Sequence, residues 1–396
     1  MDNYTSYYPL SIIHYPLKYK FMNIIISAGG TGGHIFPAIA VADELKRQDP
    51  SVKILFVGAQ GKMEMERVPK AGYAIEGLWI AGLQRRLTIK NVILNLQLPF
   101  KVMTSMMQVR RILSAFKPDV VVGFGGFASG PTLKAAASMG IPTILQEQNS
   151  YAGVTNKLLA QKAKKICVAY EGLEKFFPSQ KLIVTGNPVR ADIMDIKSKY
   201  TEGVNYFDLD KNKKTIVVLG GSLGAKSLNM AMEANAKLIG NQSNIQIVWQ
   251  CGRLYEEDFK NGRAAHLPNV QMRPFIDRMD LAYAVADVII ARAGALTISE
   301  LCLAGTPCVL VPSPNVAEDH QTKNAMALVN KKAAILVRDK EATAKMITTA
   351  LEVIGNQELM SELSKNILSL SKPHAAKDIA QVVINQSRTN IKNKPN

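Results

Sequence analysis

The stretch Asn23-Ile-Ile-Ile-Ser-Ala-Gly-Gly-Thr-Gly-Gly-His34-Ile-Phe-Pro37 decides the fold class. A short β-branched run ends in a glycine-rich turn, Pro37–Arg47 follows with apolar residues at helical spacing, and Val52–Val57 reads as strand again. Strand, loop and helix in repeated alternation imply parallel sheets covered by helices. Beyond this stretch, Asp119-Val-Val-Val-Gly, Gly130-Pro-Thr-Leu, Gly140-Ile-Pro-Thr-Ile-Leu and Asn156-Lys-Leu-Leu-Ala have counterparts further along the chain. These are Asp287-Val-Ile-Ile-Ala, Gly294-Ala-Leu-Thr-Ile, Gly305-Thr-Pro-Cys-Val-Leu and Asn324-Ala-Met-Ala-Leu. Matches in one register predict an α/β protein of two similar, doubly wound Rossmann-like domains with a cleft between them. The expected division is an extension over 1–21, a first domain over 22–187, a second over 188–372, and a last helix over 373–390 that packs back on the first domain.

The 396 residues carry a net charge of +16. Residues 1–190 hold 23 basic and 11 acidic side chains, a net of +12, so the excess sits in the first half, which is expected to meet something negative. There is no nucleic-acid recognition motif and no basic stripe interleaved with aromatics, so nucleic acid is not an expected partner. Cys167, Cys251, Cys302 and Cys308 form no CxxC pair, and reduced thiols are expected. The uncharged stretch from Ile24 to Ala42 is broken by glycines and Pro37, which argues against a membrane span. Residues 1–21, with five tyrosines, lack the features of a secretory signal and are expected to be disordered.

Three glycine-rich loops follow strands: Gly29–His34, Gly123–Gly130 and Gly220–Gly224. A helix starting directly behind such a loop offers unpaired N–H groups to an anion, so each loop suits a phosphate-bearing ligand. None is a GxGxxG, and the strand ending Phe56-Val-Gly58 lacks the acid that would hold a dinucleotide ribose. Gly221-Ser-Leu-Gly-Ala-Lys226 misses the P-loop spacing, which removes the best support for ATP hydrolysis. Asp208-Leu-Asp210 stands away from the loops and reads as solvated charge, so no metal and no cofactor is expected. In Arg292-Ala-Gly-Ala-Leu-Thr-Ile-Ser-Glu300, polar residues crowd the start of a helix.

With Gly29–Pro37, Gly125-Gly-Phe-Ala-Ser-Gly-Pro131, Glu147-Gln-Asn149, Gly186-Asn-Pro-Val-Arg190, Gly220-Gly-Ser222, Pro274-Phe-Ile276, Gly294–Glu300 and His320-Gln321 in this order, the chain from Met22 onward resembles the MurG family. These are UDP-N-acetylglucosamine (UDP-GlcNAc) transferases acting on undecaprenyl-pyrophosphoryl-MurNAc-pentapeptide in bacterial peptidoglycan synthesis. The resemblance implies a GT-B fold and metal-independent inverting transfer, with the donor in the second domain and the lipid acceptor in the first. It implies donor contacts at Arg190, Ser222, Ile276, Ala295, Leu296, Thr297, Ile298, Ser299, Glu300 and Gln321, with Thr31, Gly32, Gly33 and Asn149 reaching across the cleft. Glu300 would accept both ribose hydroxyls, since a carboxylate has two acceptor oxygens. Two positions depart from the family pattern. Gln146 stands where a His is common and cannot act as a base, and Leu223 replaces a Gln that would contact the donor.

Under this reading Arg190 and Ser222, with the helix behind Gly220–Gly224, stabilise the departing diphosphate. His34 is the best-placed base for the acceptor hydroxyl, the alternatives being that it positions a phosphate or caps its helix. Leu78, Trp79, Ile80, Leu83, Arg85, Arg86, Phe100 and Lys101 combine apolar side chains with flanking cations. They suit the headgroup boundary of an anionic bilayer, with ordinary core packing as the alternative. The implied location is peripheral, on the cytoplasmic face of the bacterial inner membrane. A UDP-GlcNAc 2-epimerase of the same architecture is the rival and would need no lipid acceptor.

Overall fold

The structure, a computed structural model, describes residues 21–80, 98–221 and 223–393. The first sheet takes β1 (Asn23–Ala28), β2 (Lys53–Ala59), β3 (Ala74–Leu78), β4 (Val120–Gly125), β5 (Thr143–Glu147), β6 (Lys165–Val168) and β7 (Leu182–Val184), in the order β3-β2-β1-β4-β5-β6-β7. The second takes β8 (Lys214–Leu219), β9 (Ile245–Gln250), β10 (Val270–Arg273), β11 (Val288–Ala291), β12 (Cys308–Leu310) and β13 (Ile335–Leu336), in the order β10-β9-β8-β11-β12-β13. Every pairing is parallel. In both sheets the order reverses direction beside the first strand, so the loops after β1 and β4, and after β8 and β11, lie side by side at the switch points where α/β sheets bind ligands.

Alternation along the strands builds the layers. Ile24 and Ile26 pack on one side of the first sheet with the helices Gly32–Gln48 and Ala375–Asn393, while Ile25 packs on the other with Leu113 and Leu133. Ile216, Val218 and Trp249 face one side of the second sheet, and Val217 and Val248 face the other. The internal echo has a mechanical counterpart. Asp119, just before β4, accepts the backbone N–H of Asn23 at 3.0 Å, and Asp287, just before β11, accepts that of Thr215 at 2.7 Å. In each domain the same carboxylate ties the central strand to its neighbour.

The chain passes between the domains twice, near Thr185–Arg190 and near Leu370–His374. Gly186 has φ +84°, and a Cβ there would run into the Lys372 side chain, so the two crossings touch at a position open only to glycine. The helix Ala375–Asn393 then lies on the first domain, where Ile379, Ala380, Val383 and Ile384 complete its core. The four cysteines are buried and unpaired.

Candidate active site

On the first-domain wall, His34 stands in the first turn of the helix Gly32–Gln48, behind Thr31, whose side chain makes no cap. Its Nδ1 lies 2.8 Å from the Phe124 carbonyl and 3.0 Å from Gln148 Oε1. A carbonyl oxygen can only accept, so Nδ1 carries the proton and Nε2 of the neutral ring keeps its lone pair. The imidazole therefore does not cap its own helix. The loop ahead of it is tied from beneath: buried Glu64 accepts the N–H of Gly30 at 2.9 Å and of Ala59 at 3.0 Å. Of the N–H groups expected to serve phosphate, the one at Gly30 thus already serves an internal carboxylate.

Glu147 organises the next loop. Its two oxygens accept from Asn149, Gly153 and Asn156 at 2.8 to 3.2 Å, an acceptor role that holds Asn149 in place. Gln146 is fully buried and donates to Asn187 Oδ1 at 2.9 Å. The residue that replaces the family's common His is therefore part of the interdomain framework.

On the second-domain wall, Glu300 projects from the helix Ala295–Ala304 and is 5% exposed. Tyr283 donates to its Oε2 at 2.8 Å and Arg190 to its Oε1 at 3.3 Å. Burial pushes its carboxyl above the usual carboxylate range, against the pull of Arg190 and Tyr283. Each oxygen keeps a second lone pair, so a diol can still be accepted. Arg190 and Glu300, which the sequence reading placed at the diphosphate and the ribose, are direct partners here. The loop Gly220–Gly224 is anchored by Gln250, which donates to the Gly221 carbonyl at 2.9 Å and accepts the Ile276 N–H at 3.0 Å. The helix Lys226–Ala234 follows directly. Gln321 accepts the Ser313 N–H at 2.8 Å, and Ala295, Leu296 and Thr297 form the partly exposed first turn of the Glu300 helix.

At three of the expected donor positions the side chain is committed within the protein. Ile298 is buried in the second-domain core, because a period of 3.6 turns it away from Thr297 and Glu300. The Ser299 hydroxyl is engaged with the Ala295 carbonyl at 3.0 Å and Asn187 Nδ2 at 3.1 Å, making it an interdomain strut. Ile276 is likewise buried, which leaves its main chain as the part able to meet a ligand. Ser222 lies outside the described residues.

Direct contacts close the cleft at one end. Asn324 Nδ2 donates to Asn149 Oδ1 at 3.1 Å, and its Oδ1 accepts from the Ser150 N–H and hydroxyl. Lys323 sits 3.3 Å over the Tyr151 ring. A cavity of about 480 Å³ lies beside these contacts, lined by Ser150, Asn187, Ser299, Cys302 and Lys372 among others; His34, Arg190 and Glu300 do not line it. The contacts of Tyr283 with Glu300, of Gln148 with His34 and of Glu64 with Gly30 are not legible in the sequence, where no spacing joins these residues to their partners.

The apolar patch divides. Leu78, the last residue of β3, is fully buried and Ile80, two residues beyond the strand, nearly so; both pack into the first-domain core beside Ile25, Val57 and Leu113, which removes them from any membrane face. Trp79 and Phe100 are exposed and meet edge to face at 6.1 Å, with Lys101 Nζ 5.2 Å from the indole. Met103 and Met107 continue this exposed stripe along the helix Leu98–Phe116. Leu83, Arg85 and Arg86 lie outside the described residues. Among the described residues, no helix is long and apolar enough to cross a membrane.

Comparison with known proteins agrees with this architecture. Residues 24–168 match the glycosyltransferase family 28 N-terminal domain, and residues 215–383 match the family 28 C-terminal domain. A Flavobacterium psychrophilum protein is 53% identical over 93% of this chain and 97% of its own length. It is named UDP-N-acetylglucosamine--N-acetylmuramyl-(pentapeptide) pyrophosphoryl-undecaprenol N-acetylglucosamine transferase. The crystal structure of Acinetobacter baumannii MurG superposes with a TM-score of 0.73 at 31% identity, covering 92% of this chain and 99% of that one. A Neisseria meningitidis UDP-GlcNAc 2-epimerase also superposes, with a TM-score of 0.65 over 92% of this chain and all of that one, but at 16% identity the likeness is one of fold. With both family domains matched in order and relatives this close along nearly the whole length, the chain belongs to the MurG branch of glycosyltransferase family 28.

Proposed function

We propose that this protein transfers N-acetylglucosamine from UDP-GlcNAc to undecaprenyl-pyrophosphoryl-MurNAc-pentapeptide, converting lipid I to lipid II, with inversion and without a metal. The observation that carries the mechanism is the placing of His34: Nδ1 is spent on the Phe124 carbonyl, and Nε2 retains the lone pair a base needs. The acceptor hydroxyl attacks the anomeric carbon and gives its proton to Nε2. The bond from that carbon to UDP breaks, and charge develops on the diphosphate. Arg190, Ser222 and the N-terminal end of the helix Lys226–Ala234 meet that charge, while Glu300 holds the ribose. The identity to named transferases over nearly the full chain favours this reading over an epimerase.

The acceptor reaches the enzyme at an anionic membrane surface, on the cytoplasmic face of the inner membrane. Trp79, Phe100 and Lys101 supply aromatic and cationic contacts suited to headgroups, and the net charge of +12 in residues 1–190 supports the same side. Incubation with labelled UDP-GlcNAc, with and without the undecaprenyl-linked acceptor, tests the whole proposal. Label in the lipid phase with released UDP supports it; N-acetylmannosamine formed without acceptor overturns it.

A further inference from the structure

We infer that Gln148 is a positioning residue for His34, presenting the imidazole with its proton on Nδ1 and its lone pair on Nε2. This inference rests on the reading of His34 as the base. The Phe124 carbonyl orders the group. Gln148 Nε2 donates to it at 2.6 Å, and His34 Nδ1 meets it at 2.8 Å. A flipped amide would set two acceptor oxygens against each other, so the Gln148 oxygen must be the atom that faces Nδ1, at 3.0 Å. Two acceptors then converge on one ring nitrogen. The tautomer with its proton on Nε2 would turn a lone pair toward both of them, and the imidazolium formed when Nε2 takes a proton keeps both bonds.

The ring is also confined sterically. At Gly125, where φ is +101°, a Cβ would fall 2.7 Å from ring atoms of His34, so the imidazole occupies space that only glycine leaves open. Gln148 itself is 3% exposed, and its main-chain carbonyl accepts Asn187 Nδ2 at 3.0 Å. That same nitrogen donates to Ser299 Oγ at 3.1 Å, and Gln146 pins the amide from its other side. The orientation of His34 is thereby referenced to the helix that carries Glu300. Gln148 is the middle residue of Glu147-Gln-Asn149, whose neighbours hold the loop and the interdomain contact; its own task is the imidazole.

The test uses the full chain labelled with 15N-histidine, with His34→Asn to assign the ring signals. Long-range 1H–15N correlations at a pH where the ring is neutral should show His34 as the Nδ1–H tautomer. Gln148→Leu should mix the tautomers and lower kcat about 10- to 100-fold, part of what a general base contributes, with the KM for UDP-GlcNAc changed less than about three-fold. A proton on Nε2 in the unsubstituted protein overturns the inference with no variant needed. So does a Gln148→Leu protein with unchanged tautomer and kcat. If Gln148→Leu mixes the tautomers but His34→Asn keeps full turnover, the base reading falls while the positioning of the ring stands.

Discussion

Asn324 of the second domain accepts the backbone N–H of Ser150 at 2.9 Å and its hydroxyl at 3.0 Å, joining residues 174 positions apart. The same side chain donates to Asn149 Oδ1 and toward the Ala293 carbonyl, so one fully buried amide closes the cleft beside the Asn149 loop. Buried amides in such networks are costly to delete, because every partner is left without its bond. Asn324→Ala is expected to lower unfolding stability by about 2 kcal/mol, read from denaturant midpoints. It should also raise the KM for UDP-GlcNAc by loosening the wall that Asn149 shares; an unchanged midpoint and KM would show that the contact is incidental.

His34→Ala should reduce turnover by about 10²- to 10⁴-fold with little change in donor KM, measured as acceptor-dependent UDP release. The acidic limb of the kcat/KM profile should disappear with the imidazole. A variant that keeps that limb would assign the base elsewhere.

Glu300 couples stability to function. Burial raises its carboxyl in the folded state, so the folded protein binds this proton more tightly than the unfolded chain. The cost is absent below the unfolded value of about 4.3, grows as pH rises, and is complete above the raised folded value. Glu300→Gln should therefore be at least as stable as the parent at pH 8, with the difference vanishing toward pH 4, as read by thermal unfolding across that range. Donor affinity should fall about 10- to 100-fold through the lost charged acceptor. A less stable variant at pH 8 would mean that the Arg190 and Tyr283 bonds outweigh desolvation.

Trp79 and Phe100 form the exposed aromatic pair of the proposed membrane face. Their joint replacement by Ala should weaken partition onto anionic vesicles by about 10-fold or more, since burying one such side chain contributes about 1.5–3 kcal/mol. Lys101→Glu should weaken it further at low salt. Turnover of a water-soluble acceptor analogue should be unaffected, and undiminished vesicle binding would place the contact elsewhere.

Much of the fold was legible in the sequence because it depends on local periodicity. β-Branched runs ending in glycine, and the paired Asp119 and Asp287 segments, mark equivalent strands wherever they stand, and parallel sheets follow from their alternation with helices. The glycine loops could be placed at the cleft for the same reason. Side-chain partnerships were not legible, because they join positions with no sequence spacing in common. Tyr283 reaches Glu300 from another helix, Glu64 reaches Gly30 from the helix after β2, and Gln148 meets His34 from the loop after β5. Hydrophobicity and basic flanks leave Leu78 and Ile80 open to either a membrane face or the core, because those cues carry no information about which way a side chain points; the fold buries both. Periodicity, glycine loops and ordered motifs carry the pair of doubly wound domains and the family. Which nitrogen of His34 keeps its lone pair and which acid is buried emerge in the folded protein, since tautomer and desolvation are set by neighbours that the fold alone brings within hydrogen-bonding distance.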